Sequence, residues 1–157
     1  MTPKYTIDAS SINDFLQLDR AYDKEVFDSP WKYIDGCCES GEIISHKEVH
    51  EEILLGGIDG VVKWARSKNN FFKDYDLPAE ADLITKIGEK YPNFLHQKKD
   101  VPVHADPWLI AQASINGLTI ITSEKSNNQH GIPFVASQFG VETLGIVAFF
   151  KQRDIKI

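Results

Sequence analysis

The stretch that decides the fold runs from residue 105 to residue 122 and reads Ala-Asp-Pro-Trp-Leu-Ile-Ala-Gln-Ala-Ser-Ile-Asn-Gly-Leu-Thr-Ile-Ile-Thr. Asp106-Pro107 is typical of a helix start, and Asn116-Gly117 is typical of a helix end. The five residues that follow, 118–122, are apolar or β-branched, which predicts a strand buried on both faces. A helix that returns directly into such a strand is the repeating unit of a parallel α/β sheet.

The same alternation extends over the rest of the chain. Other short strands are predicted at 4–7, 42–45 and 141–144. Helical periodicity and capping residues predict helices near 12–16, 30–40, 46–55, 61–65, 81–87, 105–116, 132–139 and 145–153. We therefore expect one domain over residues 1–157, an α/β fold. Its architecture is predicted to be a three-layer α/β/α sandwich around a central, mainly parallel sheet of four or five strands.

Composition excludes several classes of protein. Apolar residues make up 42% of the chain and charged residues 25%, which is ordinary for a globular domain. We find no apolar run of roughly 20 residues, the length needed to span a bilayer, and residues 1–4 lack the apolar core of a secretory signal. The sequence therefore predicts a cytoplasmic protein without a membrane span. Cys37 and Cys38 are adjacent, which favours packing in a helix over a metal site or a disulfide framework.

The charge balance limits how the chain can hold nucleic acid. Seventeen basic and twenty-three acidic side chains give a net charge of −6, and no basic stripe is present. Phosphate neutralisation supplies most of the affinity of proteins that bind nucleic acids electrostatically. If the substrate is RNA, bound cations must offset the acidic site, helped by scattered lysines. These are Lys47, Lys98, Lys99 and Lys125.

Four acidic residues each lie beside a predicted junction between a strand and a helix. They are Asp8, Glu52, Asp106 and Glu124. Such junctions meet at one edge of a parallel sheet, where ligands of these folds bind. Carboxylates crowded together repel, and a shared cation relieves that repulsion. Mg²⁺ and Mn²⁺ prefer oxygen ligands of this kind, so the pattern predicts a metal-dependent site that cleaves phosphodiester bonds.

Each acid also has a simpler structural interpretation. Asp8 precedes a predicted helix and Asp106 precedes a proline at a helix start, so both are suited to helix capping. Glu124 fits an exposed loop residue. Spacing alone does not separate capping from catalysis, and one side chain can do both.

Helical geometry selects one glutamate among three in the helix near 46–55. Val49 and Ile53 define its buried stripe, and a helix advances about 100° per residue. Glu52 then lies near the edge of that stripe and reaches a crevice at the rim of the core. Glu48 lies farther round, and Glu51 lies almost opposite.

Other catalytic constellations are poorly supported. His46 and His50 are four residues apart, but the glutamate between them is Glu48, whereas a zinc helix of the HExxH type has it directly after the first histidine. No third zinc ligand is evident, and zinc sites need at least three. The sequence contains no GxSxG elbow and no GxGxxG or GxxxxGK[ST] phosphate loop.

Four segments of the chain resemble the successive acidic motifs of PIN-domain nucleases. They are residues 5–11 (Tyr-Thr-Ile-Asp-Ala-Ser-Ser), 49–53 (Val-His-Glu-Glu-Ile), 105–111 (Ala-Asp-Pro-Trp-Leu-Ile-Ala) and 120–124 (Ile-Ile-Thr-Ser-Glu). The match covers nearly the whole chain and keeps the order of the motifs. It is most similar to the PIN-like branch whose members are often of unassigned function, with Asp-Pro in the third motif and Thr-x-Glu in the fourth.

The resemblance implies roles for individual residues. Asp8, Glu52 and Asp106 take the positions of the first three catalytic, metal-binding acids. Glu124 falls where most PIN domains carry aspartate, so this position is a conservative departure. Thr122 supplies the usual hydroxyl of the fourth motif. By the same resemblance, Ser10 orients Asp8 or a metal-bound water.

The resemblance also implies an activity and partners: an endoribonuclease that uses Mg²⁺ or Mn²⁺, a homodimer, and an antitoxin protein if the chain is a toxin of a toxin–antitoxin pair. One alternative is a PIN-like module that binds RNA or protein without cutting. A phospho-accepting receiver domain is a weaker alternative, because Asp8 lacks the acidic neighbour that receivers carry. Residues 58–103 exceed what a minimal domain of this type needs.

Overall fold

The computed structural model describes residues 2–21, 28–57, 59–68, 70–95, 104–125 and 131–155. These residues form five strands and nine helices. The strands are β1 (Tyr5–Ile7), β2 (Ile43–His46), β3 (Phe72–Lys73), β4 (Thr119–Ile121) and β5 (Thr143–Leu144). The helices are α1 (Ala9–Ala21), α2 (Asp28–Ser40), α3 (Lys47–Gly56), α4 (Asp59–Arg66), α5 (Ala79–Lys90), α6 (Pro92–Leu95), α7 (Asp106–Asn116), α8 (Ile132–Gln138) and α9 (Ile146–Gln152). Lys98 and Lys99 lie outside the described residues.

The strands form one parallel sheet in the order β3-β2-β1-β4-β5. In register, Thr6 of β1 pairs with Ile44 of β2 and with Ile120 of β4. Strands β2 and β3 are added on one side of β1. Strands β4 and β5 are then added on the other side. The strand order therefore reverses between β1 and β4, and a crevice opens at the carboxyl ends of strands beside such a reversal.

Helices cover both faces of the sheet, which confirms the predicted three-layer α/β/α architecture. The hydroxyl of Thr6 donates to Oε1 of Gln112 in α7 at 2.6 Å. The neighbouring residue Tyr5 packs edge-on against Phe149 of α9, with ring centroids 5.2 Å apart. Successive side chains of a strand point to opposite faces, so α7 and α9 lie on opposite sides of β1.

The end of α7 sets the position of the central strand β4. Gly117 ends the helix with φ = 66°, a left-handed conformation that suits glycine. The amide of Leu118 then donates to the carbonyl of Ala113, and the amide of Thr119 donates to Lys4 at the start of β1. A single glycine thus lets α7 turn directly into the sheet, as the sequence predicted.

The core is built from the strands and the helix faces turned toward them. Among its fully buried side chains are Ile7, Ile43, Ile120, Leu109 and Phe150. Fully burying a side chain of this size contributes about 1.5 to 3 kcal/mol relative to leaving it exposed. Helices cover both faces of the sheet, which is why β4 lacks the polar alternation of a half-exposed strand.

Some elements differ from the sequence-based expectations. Strand β3 was not predicted, because its two residues lie in an aromatic and polar stretch that shows no alternation. The short helix α6 was not predicted either, because its four residues show no helical periodicity of their own. Residues 96–103 lie outside the described residues.

Residues between α3 and α7 add aromatic packing at the β3 edge of the sheet. Trp64 contacts Phe71 edge-on at 5.5 Å, and Phe71 is buried. Tyr75 packs edge-on against Trp108 of α7 at 4.9 Å. Tyr75 also packs edge-on against His46 at the end of β2, at 5.1 Å. Through these contacts the residues between α3 and α7 pack against the end of β2 and against α7.

In α2, Cys37 and Cys38 are buried, and burial raises the pKa of both thiols. Protonated, enclosed thiols are poor nucleophiles, so packing is the simplest account of this pair. Within the described part of the chain, no helix has the length and apolar character required to cross a membrane.

Candidate functional site

Asp8 follows β1 directly and is enclosed at the carboxyl edge of the sheet, with 2% of its surface exposed. Its Oδ2 accepts hydrogen bonds from the hydroxyls of Thr122 at 2.5 Å and Ser10 at 2.9 Å. Its Oδ1 accepts from the backbone amide of Ser11 at 2.8 Å, within the first turn of α1. Asp8 therefore caps α1, and it also connects β1 to the residue that follows β4.

Burial and hydrogen bonding act on the Asp8 carboxyl in opposite directions. Burial disfavours the charged form and raises the pKa of Asp8, whereas the donors from Thr122, Ser11 and Ser10 lower it. Burial is the larger effect, so the pKa lies above the ordinary value of an aspartate. A carboxylate held in this way gains from a nearby cation, because a cation favours the charged form.

Asp106 lies at the same edge of the sheet as Asp8. The hydrogen bond between Thr6 and Gln112 fixes the height of α7 against β1. Asp106 comes six residues before Gln112, about 9 Å along the helix axis. Asp8 comes two residues after Thr6, about 6.6 Å along the strand. Because α7 runs toward the start of β4, both displacements lead to the carboxyl edge.

Glu52, His104 and Asp106 form the candidate metal centre. Each contributes one ligand atom, a carboxylate oxygen or a ring nitrogen, and these atoms lie within 4.8 Å of one another. Asp106 is 4% exposed, while Glu52 and His104 are half-buried. Two carboxylates and an imidazole at these separations match the donors that divalent ions accept, so the residues fit a metal ion.

The start of α7 brings these donors together. The cap residue of α7 is Ala105, and Asp106 is the first helical residue, followed by Pro107. The carboxylate Oε2 of Glu52, in α3, accepts the backbone amide of Ala105 at 3.0 Å. Glu52 thus satisfies a donor at the start of α7 and ties α3 to α7 beside the candidate metal centre.

His104 was missed in the sequence analysis. It lies two residues before Asp106, just outside the predicted helix 105–116 and outside the four acidic segments. The available signal was a histidine two residues before an aspartate at the start of a predicted helix, a spacing that places both side chains near one helix end. Its partner Glu52 is 52 residues away, and no local pattern connects the two.

A comparison with protein families identifies the chain. Residues 5–157 match the family model described as a domain of unknown function (DUF4411). The chain belongs to the DUF4411 family. No curated protein matches the chain. The DUF4411 match therefore covers the sheet, the helices and every acid of the candidate site.

The fourth acid of this DUF4411 domain has a structural contact of its own. Oε2 of Glu124 accepts the backbone amide of Ile132, at the start of α8, at 2.6 Å. The amide of Glu124 in turn donates to the hydroxyl of Thr122 at 3.2 Å. Among the described residues, Glu124 and Asp8 are not part of the cluster formed by Glu52, His104 and Asp106.

The histidines of α3 and its cap belong to other contacts of the DUF4411 domain. Nδ1 of His46 accepts the backbone amide of Glu48 at 3.0 Å and so caps α3. Its Nε2 faces the buried carboxylate of Glu80 at 3.0 Å. His50 packs on the ring of Phe72 at 4.6 Å. The two imidazoles therefore have structural partners on different elements.

Proposed function

We propose that this domain hydrolyses phosphodiester bonds of RNA with the help of a divalent metal ion. One observation carries the proposal: Glu52, His104 and Asp106 present donor atoms within 4.8 Å of one another, at the sheet edge where Asp8 follows β1. Ligands of open α/β sheets bind at this edge, beside the reversal of strand order. The resemblance of the four acidic segments to PIN-domain nucleases supports the same chemistry.

In the proposed reaction a water adds to phosphorus, and the bond from phosphorus to one ribose oxygen breaks. The departing oxygen takes a proton, and the phosphate keeps the oxygen of the water. A bound divalent ion would make the water more acidic and offset the developing negative charge. Glu52 and Asp106 would hold that ion, and Asp8, oriented by Thr122 and Ser10, would add negative charge beside it.

Basic side chains near this edge of the sheet support RNA as the substrate. Lys47, Arg66 and Lys68 line a cavity of about 290 Å³ between α3, α4 and β3, and Asp74 also lines it, 3.7 Å from Lys47. Lys68 is paired with two carboxylates of α2. Lys47 is the first residue of α3, directly after the carboxyl end of β2. RNA phosphates near this edge would gain cationic contacts that the net charge of the chain does not otherwise supply. A cytoplasmic location, a homodimer and an antitoxin partner are further parts of the proposal.

The test is incubation of the purified protein with mixed RNA in Mn²⁺, in Mg²⁺ and in excess chelator. Cleavage in metal alone is expected. Removal of an outer-shell partner of a metal lowers activity about 10- to 100-fold. Asp106→Asn replaces a proposed direct ligand, so its activity should fall by more than this. Asp82→Asn, a matched change at an exposed residue of α5, should cleave like the wild type. Full turnover by Asp106→Asn, or equal cleavage in chelator, would contradict the proposal.

A second candidate function is a domain that binds RNA or protein without cutting it. It is favoured by the helix-capping contacts of Asp8 and Glu124, because each carboxylate already accepts a backbone amide at the start of a helix. In this case Asp106→Asn and chelator would leave RNA binding unchanged, and no cleavage products would form in any metal. The same incubation, followed by a filter-binding assay, separates the two functions.

A further inference from the structure

The hydrogen bond between His104 and α6 indicates which nitrogen of the neutral imidazole carries the proton. Nε2 lies 2.9 Å from the backbone carbonyl of Phe94, in α6. A carbonyl oxygen accepts hydrogen bonds and does not donate them, so Nε2 carries the proton of the neutral ring. The lone pair of the neutral ring is then on Nδ1. The ring of Phe94, which is buried, also packs edge-on against the imidazole at 5.9 Å.

This arrangement is the one that metal-binding histidines use in proteins. Such histidines donate the far N–H group to a backbone carbonyl or a carboxylate, which fixes the tautomer and the ring orientation. Here the fixing carbonyl comes from α6, outside the cluster, and the imidazole lies with the carboxylates of Glu52 and Asp106.

We propose that Nδ1 of His104 is a metal ligand, and that it makes the site prefer first-row transition ions over Mg²⁺. The inference rests on the proposed metal-dependent function and names the ion class that this site selects. Mg²⁺ favours surroundings made only of oxygen and keeps most of its water, whereas imidazole suits first-row transition ions such as Fe²⁺, Ni²⁺ and Zn²⁺. Mn²⁺ also favours oxygen ligands, but it exchanges bound water for an imidazole more readily than Mg²⁺, which dehydrates reluctantly. The two carboxylates set the charge of the site, and the imidazole discriminates between ions of equal charge.

Mn²⁺ is the probe, because it is paramagnetic and reports on nitrogen bound directly to it. The experiment measures electron spin echo modulation of the full-length protein with Mn²⁺ added below one equivalent. Wild type is expected to show coupling to a nitrogen nucleus of a bound imidazole. His104→Asn should lose this coupling, while His50→Asn, a matched change in α3 outside the cluster, should keep it.

Affinity gives an independent readout. Titration of free Mn²⁺, with Mg²⁺ as competitor, should show tighter binding of Mn²⁺ to the wild type. His104→Asn should weaken Mn²⁺ binding at least about tenfold and should change Mg²⁺ binding less. The preference for Mn²⁺ over Mg²⁺, measured as the ratio of their dissociation constants, should therefore be smaller in the variant. Circular dichroism verifies the fold of each variant. If His104→Asn does not fold, absence of nitrogen coupling in the wild type would still overturn the inference.

The outcomes separate this inference from the proposed function. RNA cleavage without nitrogen coupling to bound Mn²⁺ would overturn the role of His104 and leave the nuclease intact. Nitrogen coupling without RNA cleavage would support the ligand and remove the nuclease. Absence of Mn²⁺ binding at the site, or nitrogen coupling that survives His104→Asn, would overturn the inference.

Discussion

Thr122 and Asp8 join the ends of the two central strands, because the hydroxyl of Thr122 donates to Oδ2 of Asp8 at 2.5 Å across β4 and β1. The same hydroxyl oxygen accepts the backbone amide of Glu124 at 3.2 Å. One side chain therefore serves the first acid of the site and the loop that carries the fourth. The contact spans 114 positions of sequence and brings together two motifs that lie far apart in the chain.

Replacement of Thr122 by valine should destabilise the domain. Thr122→Val keeps the shape of the side chain but removes the donor to a buried carboxylate and the acceptor for the Glu124 amide. The free energy of unfolding should fall by about 1 to 3 kcal/mol, which urea unfolding in the presence of chelator measures. Thr122→Ser keeps the hydroxyl and should recover most of the loss. Equal stability of the valine variant and the wild type would show that the hydrogen bond contributes nothing net.

Asp8→Asn should change how stability depends on pH in metal-free protein. Burial raises the pKa of Asp8, so the folded state holds its proton to higher pH than the unfolded state does. This tighter proton binding stabilises the folded state. The stabilisation is fully present below the ordinary carboxyl pKa and is lost as pH rises through the raised pKa of Asp8 in the folded state. Asparagine does not titrate, so Asp8→Asn should gain stability relative to the wild type as pH rises through this window.

Urea unfolding of both proteins, from mildly acid to neutral pH, gives this difference. Asp154→Asn provides the matched control, because Asp154 is an exposed residue after α9. Its difference from the wild type should vary less with pH. A pH-independent difference for Asp8→Asn would mean that Asp8 has the same pKa in the folded and unfolded states.

Local patterns in the sequence predicted the elements at the centre of the sheet. The helix 105–116 and the strand after it were predictable because a proline, a glycine and a continuous apolar run mark their bounds. Strand β3 was not, since its two residues are defined by pairing with β2 and not by any pattern of their own. Its position depends on tertiary contacts such as that between Ser45 and Phe71.

The candidate site was predictable only in part, for the same reason. Topology places an acid after each of several strands at one edge, which can be inferred from the α/β pattern alone. Which acids meet is decided by side-chain geometry. Glu52 reaches the amide of Ala105, while Glu124 turns to the amide of Ile132. The imidazole of His104 is oriented by a hydrogen bond to the carbonyl of Phe94, a contact that no spacing rule indicates.

Loss of Glu80 should destabilise the packing of α5 on the start of α3. Oε1 of Glu80 faces Nε2 of His46 at 3.0 Å and also accepts the amide of Asp76 at 3.0 Å. Nδ1 of His46 accepts an amide, so Nε2 carries the proton and donates to Glu80. Glu80→Ala should cost about 1 to 3 kcal/mol for each buried donor left without an acceptor.

Chemical unfolding of Glu80→Ala, with Glu89→Ala as control, measures this contribution. Glu89 is exposed on the same helix, so the control removes an equal charge without touching the buried pair. Glu80→Gln retains one oxygen acceptor and should fall between the two. If Glu80→Ala is as stable as Glu89→Ala, the buried pair with His46 does not stabilise the fold.

Two adjacent glycines at the end of α3 should respond differently to alanine. At Gly57 a Cβ would lie 2.4 Å from the carbonyl oxygen of Ile53 and 3.2 Å from a methyl of Val62. The backbone of Gly57 has φ = −82°, which any residue adopts, so space and not conformation is the obstacle. Gly57→Ala should therefore destabilise the domain by about 1 to 3 kcal/mol, the usual cost of overpacking.

Gly56→Ala is the matched control, because a Cβ there meets no atom within 4 Å. Since Gly56 is the last residue of α3, alanine there should be neutral or stabilising by up to about 1 kcal/mol. Relief of the clash at Gly57 requires α3 to move, and α3 carries Glu52. Gly57→Ala should therefore also weaken Mn²⁺ binding, whereas Gly56→Ala should not. Wild-type stability in Gly57→Ala would show that the end of α3 yields without cost.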